Sequence, residues 1–210
     1  LGDSNTASNN LENWCDQLPV RIPDPRLRVF NYSVMGGEIL GTYPKDGTLQ
    51  LALAMREPAV DLIIASFGIN DLRQGSKTPQ AILGRYLWMA DRAKLSGKKF
   101  LATTVAPYAG TRPDTAALAD ELNQLLRENF DKDSVIEFAE EFPKSALISD
   151  GVHLKRAGHA LRAIIALPHI YGTTTCREGT ACTQPRICFN KGNNTRIKAH
   201  SGQSYSVLRD

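Results

Sequence analysis

An α/β domain built on a parallel sheet is the fold this sequence predicts, and three observations lead there. Short apolar runs alternate with longer amphipathic segments, the pattern of repeated strand–helix units. Two of the runs, Asp61 to Phe67 and Lys99 to Val105, are nearly continuous in apolar or small residues, as strands covered on both faces are. The chain has 210 residues, 42% of them hydrophobic, which suffices for one domain with a real core and a small appendage.

The elements follow in order. A helix is expected around Ala7 to Leu18, then strands over Leu27 to Tyr32, Asp61 to Phe67, Lys99 to Val105 and Val135 to Phe138. Thr78-Pro79 opens a helix whose stripe is Ile82, Leu83, Tyr86, Leu87, Ala90 and Ala93 and which ends near Gly97. Another helix runs from about Asp114 to Asn129 on Leu118, Leu122, Leu125 and Leu126. The last, Lys155 to Leu167, is expected to stop at Pro168. Beyond Pro168 the chain is rich in Thr, Gly and Asn and has no helical stripe. Short runs at Arg186 to Phe189, Arg196 to Ala199 and Tyr205 to Leu208 suggest a β-rich appendage. Residues 1–167 therefore read as one domain and 168–210 as an extension. A strand is expected to lead into the turn at Ser4, yet only Leu1 precedes Gly2. The first strand thus reads as truncated, with any signal peptide out of view.

Composition excludes several classes. Charged residues make up 22%, so disorder is not expected. No apolar run approaches the roughly 20 residues that a membrane-spanning helix needs. A net charge of +3 is too small to argue for nucleic acid. The residues from Pro168 carry +4 (Arg177, Arg186, Lys191, Arg196, Lys198 and Arg209 against Glu178 and Asp210), leaving the body at −1. Such a tail reads as a solvated surface, with polyanion binding the sharper alternative.

Four local features carry chemistry: Gly2-Asp3-Ser4-Asn5, Asn31 to Gly37, Gly68-Ile69-Asn70-Asp71 and Asp150-Gly151-Val152-His153. In an open parallel sheet the carboxyl ends of the strands share one rim where ligands bind, so these features are candidates for a single crevice. A serine hydroxyl is a weak nucleophile until a neighbouring base takes its proton. Histidine suits that work near neutral pH, and a carboxylate holds the imidazole in the right tautomer. Asp150 and His153 lie three residues apart, so one short loop could supply both. Attack on an ester carbonyl creates an oxyanion that needs preset donors. The backbone N–H groups of Ser4 and Gly36 and the Asn70 side-chain amide would supply three, and glycine at 36 admits the substrate with no Cβ in the way.

With these blocks in this order, the sequence resembles the GDSL or SGNH hydrolases over about residues 1–167. The resemblance implies a flavodoxin-like three-layer α/β/α fold and hydrolysis of esters or thioesters without metal or cofactor. It assigns Ser4 as nucleophile, Gly36 and Asn70 as oxyanion donors, and His153 with Asp150 as the base pair. Asn31 to Gly36 aligns with the family's Asn-x-Gly-x-Ser-Gly pattern, which favours Gly36 over Gly37. Met35 departs from the small residue often found there. Nothing after Pro168 matches the family core.

Structural readings stand beside the chemical ones. Ser4 could cap the first helix, Asn70 could be a turn residue, and Asp150-Gly151 a tight turn. His159, two turns into the last helix, is the rival base and reads as packed or solvated. Asp71 reads as orienting the Asn70 loop, and Asp3 as hydrogen-bonding within the nucleophile turn. Trp14, Trp88, Tyr86 and Tyr108 read as core, with Tyr108 a candidate for lining the pocket. Cys176, Cys182 and Cys188 are separated by five residues each, unlike zinc sites. Disulfides involving them and Cys15 would suit a periplasmic or secreted protein; free thiols would suit the cytoplasm. The main functional reading is cleavage of a small acyl or acetyl ester. Acyl transfer to a sugar, thioester or lysophospholipid cleavage by the same residues, and a non-catalytic anion-binding module are the alternatives.

Overall fold

The computed structural model describes residues 1–7, 13–21, 24–25, 27–75, 77–140 and 142–171, together with the strands at 196–198 and 204–206. The central sheet is parallel. Strand β1 (Leu62–Ala65) pairs with β2 (Lys99–Thr103) in the register Leu62 opposite Lys99, and β2 pairs with β3 (Val135–Ile136), Ala102 opposite Val135. On the far side of β1 the chain start adds a partial strand: Leu1 N–H donates to Ile64 O, Ser66 N–H to Leu1 O, and Gly2 bridges Ser66.

Both faces of the sheet are covered. Ile63, Ala65, Phe100 and Ala102 pack with Leu51, Ile82, Tyr86, Met89, Leu122 and Leu126, which come from helices α3 (Gly47–Arg56), α5 (Pro79–Leu95) and α6 (Pro113–Asn129). Side chains alternate along a strand, so Leu101 and Ile136 face the other way, and both are fully buried. On α2 (Trp14–Arg21) the indole of Trp14 meets the Phe138 ring edge-on at 5.8 Å. A second apolar group joins Ala106, Phe142, Ala146, Leu147 and Leu154, with Leu161 and Ile165 of α7 (Arg156–Tyr171) against it.

Thr78 caps α5 by accepting from Ala81 N–H, with Pro79 at the first turn, as its sequence signal says. Four expectations need correction. The first helix is two pieces, α1 (Ser4–Ala7) and α2. Residues 27–32 form no strand: the backbone bond to the chain start comes from Val34, beyond the stretch, to Gly2 O, and an extended run gains no ladder without a partner. Helix α7 runs through Pro168 to Tyr171; this close to a helix end the proline removes only one bond. Trp88 is 37% exposed rather than core, with Arg85 and Arg92 over its ring at 5.4 and 5.6 Å.

The chain divides into two compact units, Leu1–Ala166 and Leu167–Asp210. In the second, β4 (Arg196–Lys198) and β5 (Ser204–Ser206) pair antiparallel. The run at Arg186 to Phe189 lies outside the described residues.

Tyr86 holds the exit of β1. Its hydroxyl accepts from Phe67 N–H at 2.9 Å and lies 3.2 Å from Phe67 O, fully buried. Tyr86→Phe keeps the ring and strands that N–H, so it is expected to cost about 1–3 kcal/mol in urea unfolding. An unchanged midpoint would contradict this role.

Candidate active site

The turn at Ser4 is built by Asp3. The Asp3 carbonyl accepts from Thr6 and Ala7 N–H at 3.0 and 2.9 Å, and its carboxylate Oδ1 accepts from Asn5 N–H at 2.9 Å. Asp3 is thus the cap of α1, as its side-chain chemistry favours. Ser4 is the first helical residue, and its hydroxyl, freed from capping, points elsewhere. Serine Oγ lies 2.9 Å from His153 Nε2.

The histidine sits on a loop that organises itself. Asp150 Oδ1 accepts from the N–H groups of Val152 and His153, both at 2.9 Å, while Oδ2 lies 2.5 Å from His153 Nδ1. Partial desolvation works against the Asp150 charge; the imidazole and the two backbone N–H groups outweigh it and hold the carboxyl down at about 2. An ionised carboxylate only accepts, so with a neutral ring the Nδ1 carries the proton and Nε2 presents its lone pair to the Ser4 hydroxyl. The chain Ser4–His153–Asp150 is therefore continuous and correctly polarised.

The expected oxyanion donors come from three different segments of the chain. Ser4 N–H heads α1 and has no intrahelical partner. Gly37 N–H is committed to Val34 O at 2.8 Å, whereas Gly36 N–H meets no acceptor among the described residues. Asn70, on α4 (Ile69–Arg73), donates one amide proton to Gly37 O at 3.1 Å, which places it beside Gly36 with its second proton still available.

Buried polar groups support this rim. Asp71 is fully buried and accepts from Ile39 and Leu40 N–H at 3.0 and 2.9 Å, tying the loop after Gly36 to α4. Burial pushes its carboxyl up to about 6, against the pull of those two N–H groups. Asn31 Nδ2 donates to Thr6 O at 2.7 Å and joins the same loop to α1. Beside the Ser4 turn lies a pocket lined by Asp3, Asn5, Ser66, Thr104, Tyr108 and Arg162 among others. Burial raises Asp3, and the Arg162 charge opposes it. Arg162 is 4% exposed, its guanidinium 4.7 Å from the centre of the Phe138 ring, with Nε and Nη1 unpartnered among the described residues. Burial takes it down to about 10, so it stays cationic at neutral pH.

His159 is buried, and the hydrogen bond of Ser4 Oγ goes to His153 instead. Burial lowers His159 to about 4, and its Nδ1 has no partner among the described residues. Tyr108 is buried and its hydroxyl accepts from Arg112 N–H at 3.3 Å. Among the described residues Cys15 is a free thiol; it is 8% exposed, and burial pushes it up to about 12. The other cysteines lie outside the described residues. Sequence reading missed Gln50, Arg162 and the second use of Asn5. Their one visible signal is a polar residue set among apolar neighbours.

The model of the GDSL-like lipase/acylhydrolase family matches residues 1–161. Among solved structures, a putative arylesterase from Agrobacterium tumefaciens str. C58 is 20% identical, with a TM-score of 0.66 over 80% of this chain and 95% of that one. The aryl esterase of M. smegmatis is 16% identical at TM-score 0.64, covering 81% and 95%. A carbohydrate acetylesterase family member from Sinorhizobium meliloti is 16% identical at 0.63, covering 81% and 94%. At such identities the likeness is one of fold. A search of curated protein sequences finds no match.

The Asp71 shift gives a signed prediction. Its folded value of about 6 lies above the ordinary 3.8, so the folded chain binds this proton more tightly than the unfolded one. That contribution is fully present below about pH 4 and is lost as pH rises through 6. Relative to Asp71→Asn, wild-type stability is expected to fall by roughly 1–3 kcal/mol between pH 4 and pH 7. Urea unfolding of both proteins at the two pH values measures it; a flat or rising difference would refute it.

Proposed function

The chain belongs to the GDSL-like lipase/acylhydrolase family, and from that premise we propose that it cleaves small carboxylic esters through an acyl-enzyme on Ser4. The observation that carries this reading is the unbroken run from Ser4 Oγ to His153 Nε2 at 2.9 Å and from Nδ1 to Asp150 Oδ2 at 2.5 Å. As Ser4 Oγ attacks the carbonyl carbon, its proton passes to His153 Nε2, and Asp150 stabilises the resulting imidazolium. The carbonyl π pair moves to oxygen, which the N–H groups of Ser4 and Gly36 and the free amide proton of Asn70 receive. Collapse expels the alcohol, protonated by His153, and leaves the acyl group on Ser4. Water, deprotonated by His153, attacks in turn; collapse releases the acid and returns the proton to Ser4 Oγ.

Because Asp150 ionises at about 2, its carboxylate is in place at any pH where an esterase is ordinarily assayed. Its substitution therefore tests the tautomer and not merely the charge. For the acyl group we propose a short chain, acetyl above all. The structural neighbours described as aryl esterases and a carbohydrate acetylesterase support an ester of that class. Beside Gly36, Met35 is exposed, and the Lys45 side chain lies across the glycine; together they crowd that side of the rim.

Ser4→Ala is expected to lower hydrolysis of p-nitrophenyl acetate by several orders of magnitude with an unchanged circular dichroism spectrum. Asp150→Asn should cost roughly a thousandfold or more in kcat. If the Ser4→Ala protein keeps over about a tenth of wild-type activity, far beyond what loss of a triad nucleophile permits, the nucleophile is another residue. A panel of p-nitrophenyl acetate, butyrate and octanoate is expected to rank kcat/KM in falling order; an octanoate optimum would contradict the short-chain reading.

A further inference from the structure

Asn5 does something that the proposed mechanism does not use. It follows the nucleophile directly and is 4% exposed. Its backbone N–H is held by Asp3, which leaves its side chain free for other work. That side chain reaches across to the base loop: Nδ2 donates to Val152 O at 3.2 Å, and Oδ1 accepts from Leu154 N–H at 3.1 Å. Val152 and Leu154 are the two residues that flank His153. A primary amide is suited to this, since it offers a donor and an acceptor side by side and so matches the C=O and N–H that a chain presents on either side of one residue.

The geometry separates two kinds of restraint on His153. The three Asp150 contacts, to Val152 N–H, His153 N–H and the ring, are internal to the loop. They would survive if the whole loop moved as a body away from Ser4. Other bonds, Ala109 N–H to Gly151 O and Ile148 N–H to His153 O, attach the loop to its own neighbours and not to α1. The Asn5 pair runs from the residue adjoining Ser4 to both sides of His153. It therefore ties the frame of the nucleophile to the frame of the base.

We infer that Asn5 is a positioning residue, one that acts through His153 by fixing the distance between Ser4 Oγ and Nε2. The inference rests on the triad reading given above. It differs from a packing role in what it predicts, because a residue that works only through His153 has nothing to do once His153 is gone.

The test measures kcat and KM on p-nitrophenyl acetate for Asn5→Ala and Asn5→Asp, each in the wild-type and the His153→Ala background, with Ser4→Ala as reference. Displacement of a reacting group by about 1 Å can cost on the order of a hundredfold. Asn5→Ala is accordingly expected to lower kcat by about 10- to 100-fold while KM stays within about threefold. In the His153→Ala background the same substitution is expected to change the residual rate by less than about twofold. Asn5→Asp keeps the acceptor for Leu154 N–H and loses the donor to Val152 O, so its kcat should fall between the two. It carries the same comparison of backgrounds should Asn5→Ala not fold. Equal losses in both backgrounds, or no loss in the wild type, would overturn the inference while leaving the triad standing. An active Ser4→Ala protein would overturn the triad reading, and this inference with it.

Discussion

The position of the Ser4 turn depends on how the backbone of Gly2 is gripped. Its N–H donates to Gln50 Oε1 at 2.8 Å, and its carbonyl accepts from Gln50 Nε2 at 3.1 Å and from Val34 N–H at 3.1 Å. One buried side chain of α3 thus satisfies both backbone polar groups of Gly2, the residue just ahead of Asp3 and Ser4. Leaving either group unpaired in the interior would cost about 1–3 kcal/mol, so the turn cannot drift without a penalty. The fit is also steric. A Cβ on residue 2 would stand 2.7 Å from Ser66 O and 2.8 Å from Thr6 Oγ1, which only glycine avoids. The close approach brings α1 against the end of β1, and that end continues into Gly68 and Asn70. Ser4 and Asn70 are therefore indexed to the same sheet edge.

Below this edge the protein keeps charges where solvent does not reach. Asp3, Asp71 and Arg162 are each at most 4% exposed, and burying a charge is unfavourable unless partners compensate. The compensation differs by place. Asp71 has two backbone N–H groups and works as a bracket for residues 39 and 40. Asp3 has one N–H and the field of Arg162 across a shared pocket. Arg162 rests on the face of Phe138, a cation–π contact that gains from its desolvation. An apolar core of equal volume would be cheaper to assemble. What these groups add is direction: each carboxylate selects one loop geometry by the N–H groups it accepts from.

Much of this was legible in the sequence, for reasons that differ by element. Residues 61–67 and 99–105 announce buried strands because two covered faces leave no polar alternation, and β1 and β2 lie within them. Helix α5 announces itself by its Thr78 cap and its apolar stripe, and α6 by its stripe with a proline in the first turn. Helix α3 was not expected because Leu49, Leu51 and Leu53 alternate like a strand. Only Asp46, whose side chain accepts from Thr48 N–H, marks its start. Residues 27–32 erred in the other direction: local composition favours extension, but a ladder depends on a neighbour that composition does not specify. In the site, three of the four motif blocks were visible because each leads into a helix, at Ser4, at Ile69 and at Arg156, whereas Asn31 to Gly37 lies in a loop. Gln50, Asn5 and Arg162 were not visible, because a buried amide or guanidinium takes its meaning from partners remote in the chain, here 48 residues away for Gln50 and 147 and 149 for Asn5.

The separation of Asp150 and His153 by three residues has a mechanical consequence. When acid and base stand on different elements, both distances of a triad depend on tertiary packing. Here Asp150 accepts from two backbone N–H groups of its own turn and from the ring beyond it, so the Asp150–His153 geometry is settled locally. A single placement remains, that of the loop against α1. Thermal motion of a half-exposed loop acts on that placement rather than on the Asp150–His153 contact. Selection for a precise Ser4–His153 distance would then fall on whatever crosses the gap. Two bonds from one asparagine cross it, and the residue bearing them adjoins the serine itself, so lever arm and error are both short.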